Sequence, residues 1–77
     1  MNYTKHLGVQ IKQLRVSQGL SQYEFGRKIG QQPQVISLYE QGKMEPRLRT
    51  LQRLMTVFAV APEYFFAQNK YSSKEIA

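Results

Sequence analysis

Few residues in this chain could perform acid–base, nucleophilic or metal chemistry. His6 is the only histidine, there is no cysteine, and only 5 of the 77 residues are acidic. A single histidine without cysteine does not make a tetrahedral zinc site, so no metal and no cofactor are expected. The sequence carries neither a glycine-rich phosphate loop nor paired carboxylates suited to general acid–base work, and an enzymatic function is set aside. What stands out is charge, with 11 Lys+Arg against 5 Asp+Glu giving a formal net charge of +6. An excess of that kind draws a small domain to a polyanion or an anionic surface.

The scaffold that positions these charges has to be small. Seventy-seven residues make one domain, whose single core is marginal in size. Without cysteine, no disulfide reinforces it. No apolar run approaches the roughly 20 residues that span a bilayer, and no apolar stretch of signal-peptide type opens the chain. A cytoplasmic protein with no membrane association is expected.

Periodicity then locates the elements. Leu7, Ile11 and Leu14 recur at helical spacing, with Lys5, Lys12 and Arg15 on other faces, and Gly19 stops this first helix. Ser21 and Glu24 have the spacing of a capping box, so a second helix starts at about Gln22. Phe25 and Ile29 form its apolar side and Gly30 ends it. Gly26 between them either weakens the helix or lets a neighbour come close. Pro33 suits the first position of a third helix, because its missing amide hydrogen would have had no partner there. That helix runs to about Gln41, with Ile36 and Tyr39 inward, Gln34, Ser37 and Leu38 on other faces, and Gly42 as its stop. After a charged loop from Lys43 to Arg47, the series Leu48, Leu51, Leu54, Met55 and Phe58 gives the strongest helical signal. Pro62 begins a brief fifth helix carrying Tyr64, Phe65 and Phe66. The expectation is an all-α, compact five-helix domain over residues 1–68, followed by a polar, frayed tail over 69–77.

The helices from Ser21 to Gly30 and from Pro33 to Gln41, joined by a tight turn, form a helix-turn-helix unit. The text LSQYEFGRKIG, QQPQVISLYEQG, KMEP and LRTLQRLMTVFAVAPEYFF resembles the lambda-repressor-like, xenobiotic-response-element (Cro/C1-type) family of DNA-binding regulators. The resemblance covers roughly Leu7 to Phe66. It rests on IKQLR in the first helix, the Ser-Gln opening of the second, Ile-Ser and Tyr-Glu-x-Gly in the third, and the closing Pro-Glu-Tyr-Phe.

That resemblance implies that the helix from Pro33 lies in the major groove with its N-terminal residues at the base edges. Gln34 is then the first candidate for base reading, since its amide matches the N7 and N6 groups of adenine. Ser37 would bond to a base or a phosphate, Leu38 would meet a thymine methyl, and Pro33 would add an apolar groove contact. The alternatives are a solvated Gln34, an ordinary exposed Ser37 and a Leu38 that leans on Tyr39. Gln22, at the start of the second helix, matches a phosphate-contacting position of the family. Gln32 and Gln41 flank the third helix and do likewise, while Lys43, Arg47 and Arg49 cluster after it, with Arg27 and Lys28 extending a basic rim along the second helix. Arg15 and Glu40 match a structural ion pair between the first and third helices. Tyr64, Phe65 and Phe66 match a segment that packs against its copy in a two-fold dimer, the alternative being that they cap the core. Tyr3, Tyr23 and Tyr71 would stack, bond to phosphates or be ordinary exposed tyrosines, and His6 is expected on the surface. Two positions depart from the family: Gln31 and Gln32 replace an apolar residue and a Ser or Thr before the third helix, a poorer capping choice. Leu38 replaces a long polar residue.

The resulting expectation is a sequence-specific regulator of transcription, a repressor, binding double-stranded DNA as a homodimer on an inverted repeat. The alternative is an antitoxin-type module that binds a protein partner and DNA secondarily. A chain of this size also fits the N-terminal domain of a longer regulator.

Overall fold

The computed structural model describes residues 3–66. The expected tail over 69–77 lies outside them. Five helices follow in order: α1 Tyr3–Ser17, α2 Gln22–Ile29, α3 Pro33–Glu40, α4 Leu48–Phe58 and α5 Glu63–Phe66. The all-α expectation holds for the described residues.

The core is built from the apolar positions that periodicity marks. Leu7, Ile11 and Leu14 of α1, Phe25 and Ile29 of α2, Ile36 and Tyr39 of α3, and Leu51 and Leu54 of α4 are buried, and Phe65 of α5 closes the set. Each such side chain contributes about 1.5–3 kcal/mol on full burial. Phe25 stacks on Phe58 with ring centroids 4.9 Å apart, which ties α2 to α4. Leu48 departs from the expected inward series and is 65% exposed. It is the first residue of α4, ahead of the turn that reaches the core.

Two glycines let backbones approach. A Cβ on Gly8 would overlap the Tyr39 carbonyl, so α1 and α3 cross where α1 has no side chain. A Cβ on Gly26 would overlap the Gln31 carbonyl, so the close neighbour of that glycine is the turn after α2. The Ala59 that ends α4 has φ 54, the left-handed conformation usually left to glycine.

Pro62 stands just before α5, which begins at Glu63. Four residues are too few for an isolated helix to persist in water, and side chains of α1 hold α5 in place. Tyr3 donates from its hydroxyl to the Phe65 carbonyl at 3.0 Å, and His6 Nε2 lies 3.2 Å from the same oxygen. A carbonyl only accepts, so this contact is a hydrogen bond in the tautomer with its hydrogen on Nε2. Gln10 Nε2 donates to the Tyr64 carbonyl at 2.7 Å, and the Tyr64 hydroxyl returns a bond to the Gln10 carbonyl at 3.2 Å. Burial pushes the Tyr3 and Tyr64 phenols above their ordinary range. His6 is therefore a half-buried part of this clamp and not the plain surface residue expected from sequence. Among the described residues no helix is long and apolar enough to cross a membrane.

Candidate nucleic-acid interface

The α2–turn–α3 unit is assembled from local signals. Ser21 Oγ accepts from the Glu24 N–H at 3.0 Å, and Glu24 Oε1 accepts from the Ser21 N–H at 2.9 Å, completing the capping box. The bond from the Ser21 backbone N–H, followed by the Ser21 hydroxyl, holds the Glu24 carboxyl below its usual range. Gly30 closes α2 in the left-handed region at φ 74, and its N–H donates to the Gly26 carbonyl. Arg53 of α4 donates to the Ile29 carbonyl at 3.1 Å, placing a cation at the negative end of α2. The third helix starts at Pro33 with Gln32 as its N-cap, and Gln32 makes no side-chain cap bond. This agrees with the weak capping choice seen in the sequence.

With Ile36 and Tyr39 turned inward, the other faces of α3 look out. Pro33, Gln34, Ser37 and Leu38 come together with Gln22 of α2 around an open depression of about 450 Å³. Gln34 is exposed, whereas Pro33, Ser37, Leu38 and Gln22 are half-buried. Gln41 Nε2 donates to Ser37 Oγ at 2.7 Å, one turn along the same helix. Gln32, Lys43, Arg47 and Arg49 are all exposed, the first before α3 and the others in the loop and first turn of α4.

Glu40, at the end of α3, gathers three helices. Arg15 of α1 donates from Nε to Glu40 Oε2 at 2.6 Å and from Nη2 to Oε1 at 3.2 Å, and its Nη1 reaches the Leu20 carbonyl at 2.9 Å. Gln22 Nε2 adds a bond to Glu40 Oε1 at 3.1 Å. The Arg15 and Glu40 side chains are only 15% and 5% exposed. A carboxylate only accepts, so this bond fixes which end of the Gln22 amide faces inward. Gln22 is thereby a structural tie as well as part of the depression, a role that its position at the helix start did not reveal.

The aromatic segment divides. Phe65 is fully enclosed by its own chain, Tyr64 is half-buried, and Phe66 is 42% exposed and stacks on Tyr3 at 6.3 Å. Phe65 has no surface to offer a second subunit, which corrects its expected place in a dimer interface. Sequence reasoning also passed over two polar pairs at helical spacing, Ser37 with Gln41 and Tyr23 with Arg27, for which the four-residue interval was the available signal.

Residues 11–65 match the family described as helix-turn-helix. The chain belongs to this Cro/C1-type helix-turn-helix family. It is 34% identical over 61 residues to the HTH-type transcriptional regulator PuuR of Escherichia coli, covering 79% of this chain and 33% of that protein. The regulator of the same name from Shigella flexneri gives the same figures. A protein of Sinorhizobium fredii named as an uncharacterized HTH-type transcriptional regulator, y4wC, is 36% identical over 72 residues, covering 91% of this chain and 50% of that one. The chain thus spans 33% to 50% of the length of these relatives. No solved structure matches it. DNA binding is the function that a helix-turn-helix regulator family carries, and α2 and α3 are the two helices of that unit here.

Proposed function

We propose that the chain is a sequence-specific double-stranded DNA-binding regulator that inserts α3 into the major groove of an operator and acts as a repressor by occupying it. The observation that carries the reading is the outward face of α3, where Pro33, Gln34, Ser37 and Leu38 meet Gln22 on a chain of net charge +6. Gln34, exposed and near the helix start, is the adenine reader. Ser37 and Leu38 follow one turn on, with Leu38 against a thymine methyl. Gln22, Gln32, Gln41, Lys43, Arg47 and Arg49 contact phosphates, which set register without reading sequence.

In this reading the protein works in the cytoplasm as a homodimer. Phe66 and the visible part of Tyr64 supply the apolar contact between subunits, and a two-fold axis sets the paired recognition helices about 34 Å apart on an inverted repeat. The test is selection of bound duplexes from a random pool at near-physiological salt, followed by sequencing. Enrichment of an inverted repeat is expected. Recovery of no motif would overturn the reading and turn attention to a protein partner.

A further inference from the structure

Tyr23 and Arg27 stand four residues apart on α2, both exposed and outside the core. Arg27 Nη1 donates to the Tyr23 hydroxyl at 3.2 Å, and the guanidinium carbon lies 5.9 Å from the ring centroid. A guanidinium has donors and no acceptor. The tyrosine oxygen is therefore the acceptor in this bond, and its own hydrogen points away from Arg27. The pair presents a hydroxyl donor beside the remaining guanidinium N–H groups, on a cationic centre.

The neighbours of the pair fix its place. Gln22 faces α3 through its bond to Glu40, and Gly26 abuts the carbonyl of Gln31 in the turn. Tyr23 and Arg27 each follow one of these residues, about 100° further round the helix. By that rotation they form the strip of α2 beside the one that faces α3 and the turn, and Arg27 also borders an open depression with Leu20, Glu24 and Lys28. Glu24 lies further round, and its carboxylate is engaged by the Ser21 N–H.

We infer that Tyr23 and Arg27 form a preassembled site for one phosphate oxygen of the DNA backbone that flanks the groove entered by α3. The inference rests on the DNA-reading role proposed above. A phosphodiester oxygen only accepts, and the pair offers it donors and positive charge without a rearrangement of the side chains. Such a contact anchors the domain and is indifferent to base sequence.

The test begins with the wild-type selection, where absence of a motif would refute the DNA reading itself. On the selected duplex, affinity is then measured across a salt series for the wild type, Arg27→Ala, Tyr23→Phe and, as a control on α1, Lys12→Ala. Removing one phosphate contact reduces the slope of log affinity against log salt by about 0.9, and Arg27→Ala is expected to do so. Tyr23→Phe keeps the ring over the guanidinium and loses only the hydroxyl donor, and about a tenfold loss is expected for a hydrogen bond to a charged group. Neither variant changes the selected motif, and Lys12→Ala matches the wild type. A wild-type slope in Arg27→Ala, or wild-type affinity in Tyr23→Phe, would overturn the inference. Because Tyr23→Phe removes a single exposed oxygen, its affinity decides the matter even if Arg27→Ala melts early.

Discussion

The α2–α3 face and the α1–α5 end use polar side chains in opposite ways. At the α1–α5 end, Tyr3, His6 and Gln10 bond to backbone carbonyls of α5. Their polar groups are consumed in holding a helix of four residues that would not persist alone. On the α2–α3 face, side chains bond to side chains: Gln22 to Glu40, Gln41 to Ser37, Arg27 to Tyr23. Each such bond fixes the orientation of a side-chain amide, hydroxyl or guanidinium. One end of the molecule spends its polarity on holding backbone, while the other joins side chain to side chain, from the buried tie at Glu40 to the exposed pair of Tyr23 and Arg27.

Adjacent phenylalanines give the sharpest way to break this contrast. Phe65→Ala empties a fully buried site, and about 3–5 kcal/mol of stability is expected to go with it. Phe66→Ala is expected to leave the thermal midpoint nearly unchanged while lowering the oligomeric state in sedimentation. A wild-type midpoint for Phe65→Ala would contradict its place in the core. Glu40→Ala removes the acceptor shared by Arg15 and Gln22 and leaves a guanidinium that is only 15% exposed without its carboxylate. Breaking a buried pair typically costs about 3–5 kcal/mol, so a depressed melting temperature is expected before any effect on DNA, and an unaltered one would refute the role of Glu40 as the tie of three helices.

A smaller effect belongs to the capping box, which orients the start of α2. Ser21→Ala should cost about 1 kcal/mol, read by chemical denaturation. Since the bonds from Ser21 lower the Glu24 carboxyl relative to its ordinary 4.5, their contribution is present above that pH and lost as the pH falls through the depressed value. Ser21→Ala keeps the backbone N–H that contributes most, so the pH check uses Glu24→Gln, over which the wild type should lose its advantage in acid. A constant difference down the pH scale would argue that the box does not depend on the ionised Glu24.

How far the sequence spoke for itself depends on the range of the interaction. Leu7, Ile11 and Leu14 announce α1 by spacing, Ser21 with Glu24 announces the start of α2, and Ile36 with Tyr39 determines which residues of α3 look outward. All of these are local. The crossing at Gly8, the outward Leu48 and the left-handed Ala59 have no local mark, because each follows from how helices meet. The site divides along the same line. That Gln34, Ser37 and Leu38 share an outward face is legible once the inward residues are known, but the bond from Gln22 to Glu40 joins residues 18 apart. The clamp from Tyr3 and His6 to Phe65 joins residues 62 and 59 apart. Only the folded chain brings those together.

The most direct test of the account is an affinity panel over every single-base substitution of the selected operator, measured for the wild type, Gln34→Ala and Lys43→Ala. Gln34→Ala should flatten the preference at one base pair per half-site, where a bidentate contact discriminates by about 1–3 kcal/mol. Lys43→Ala should lower affinity alike for all sequences. Equal losses at every position for Gln34→Ala would contradict the claim that the outward face of α3 reads the bases.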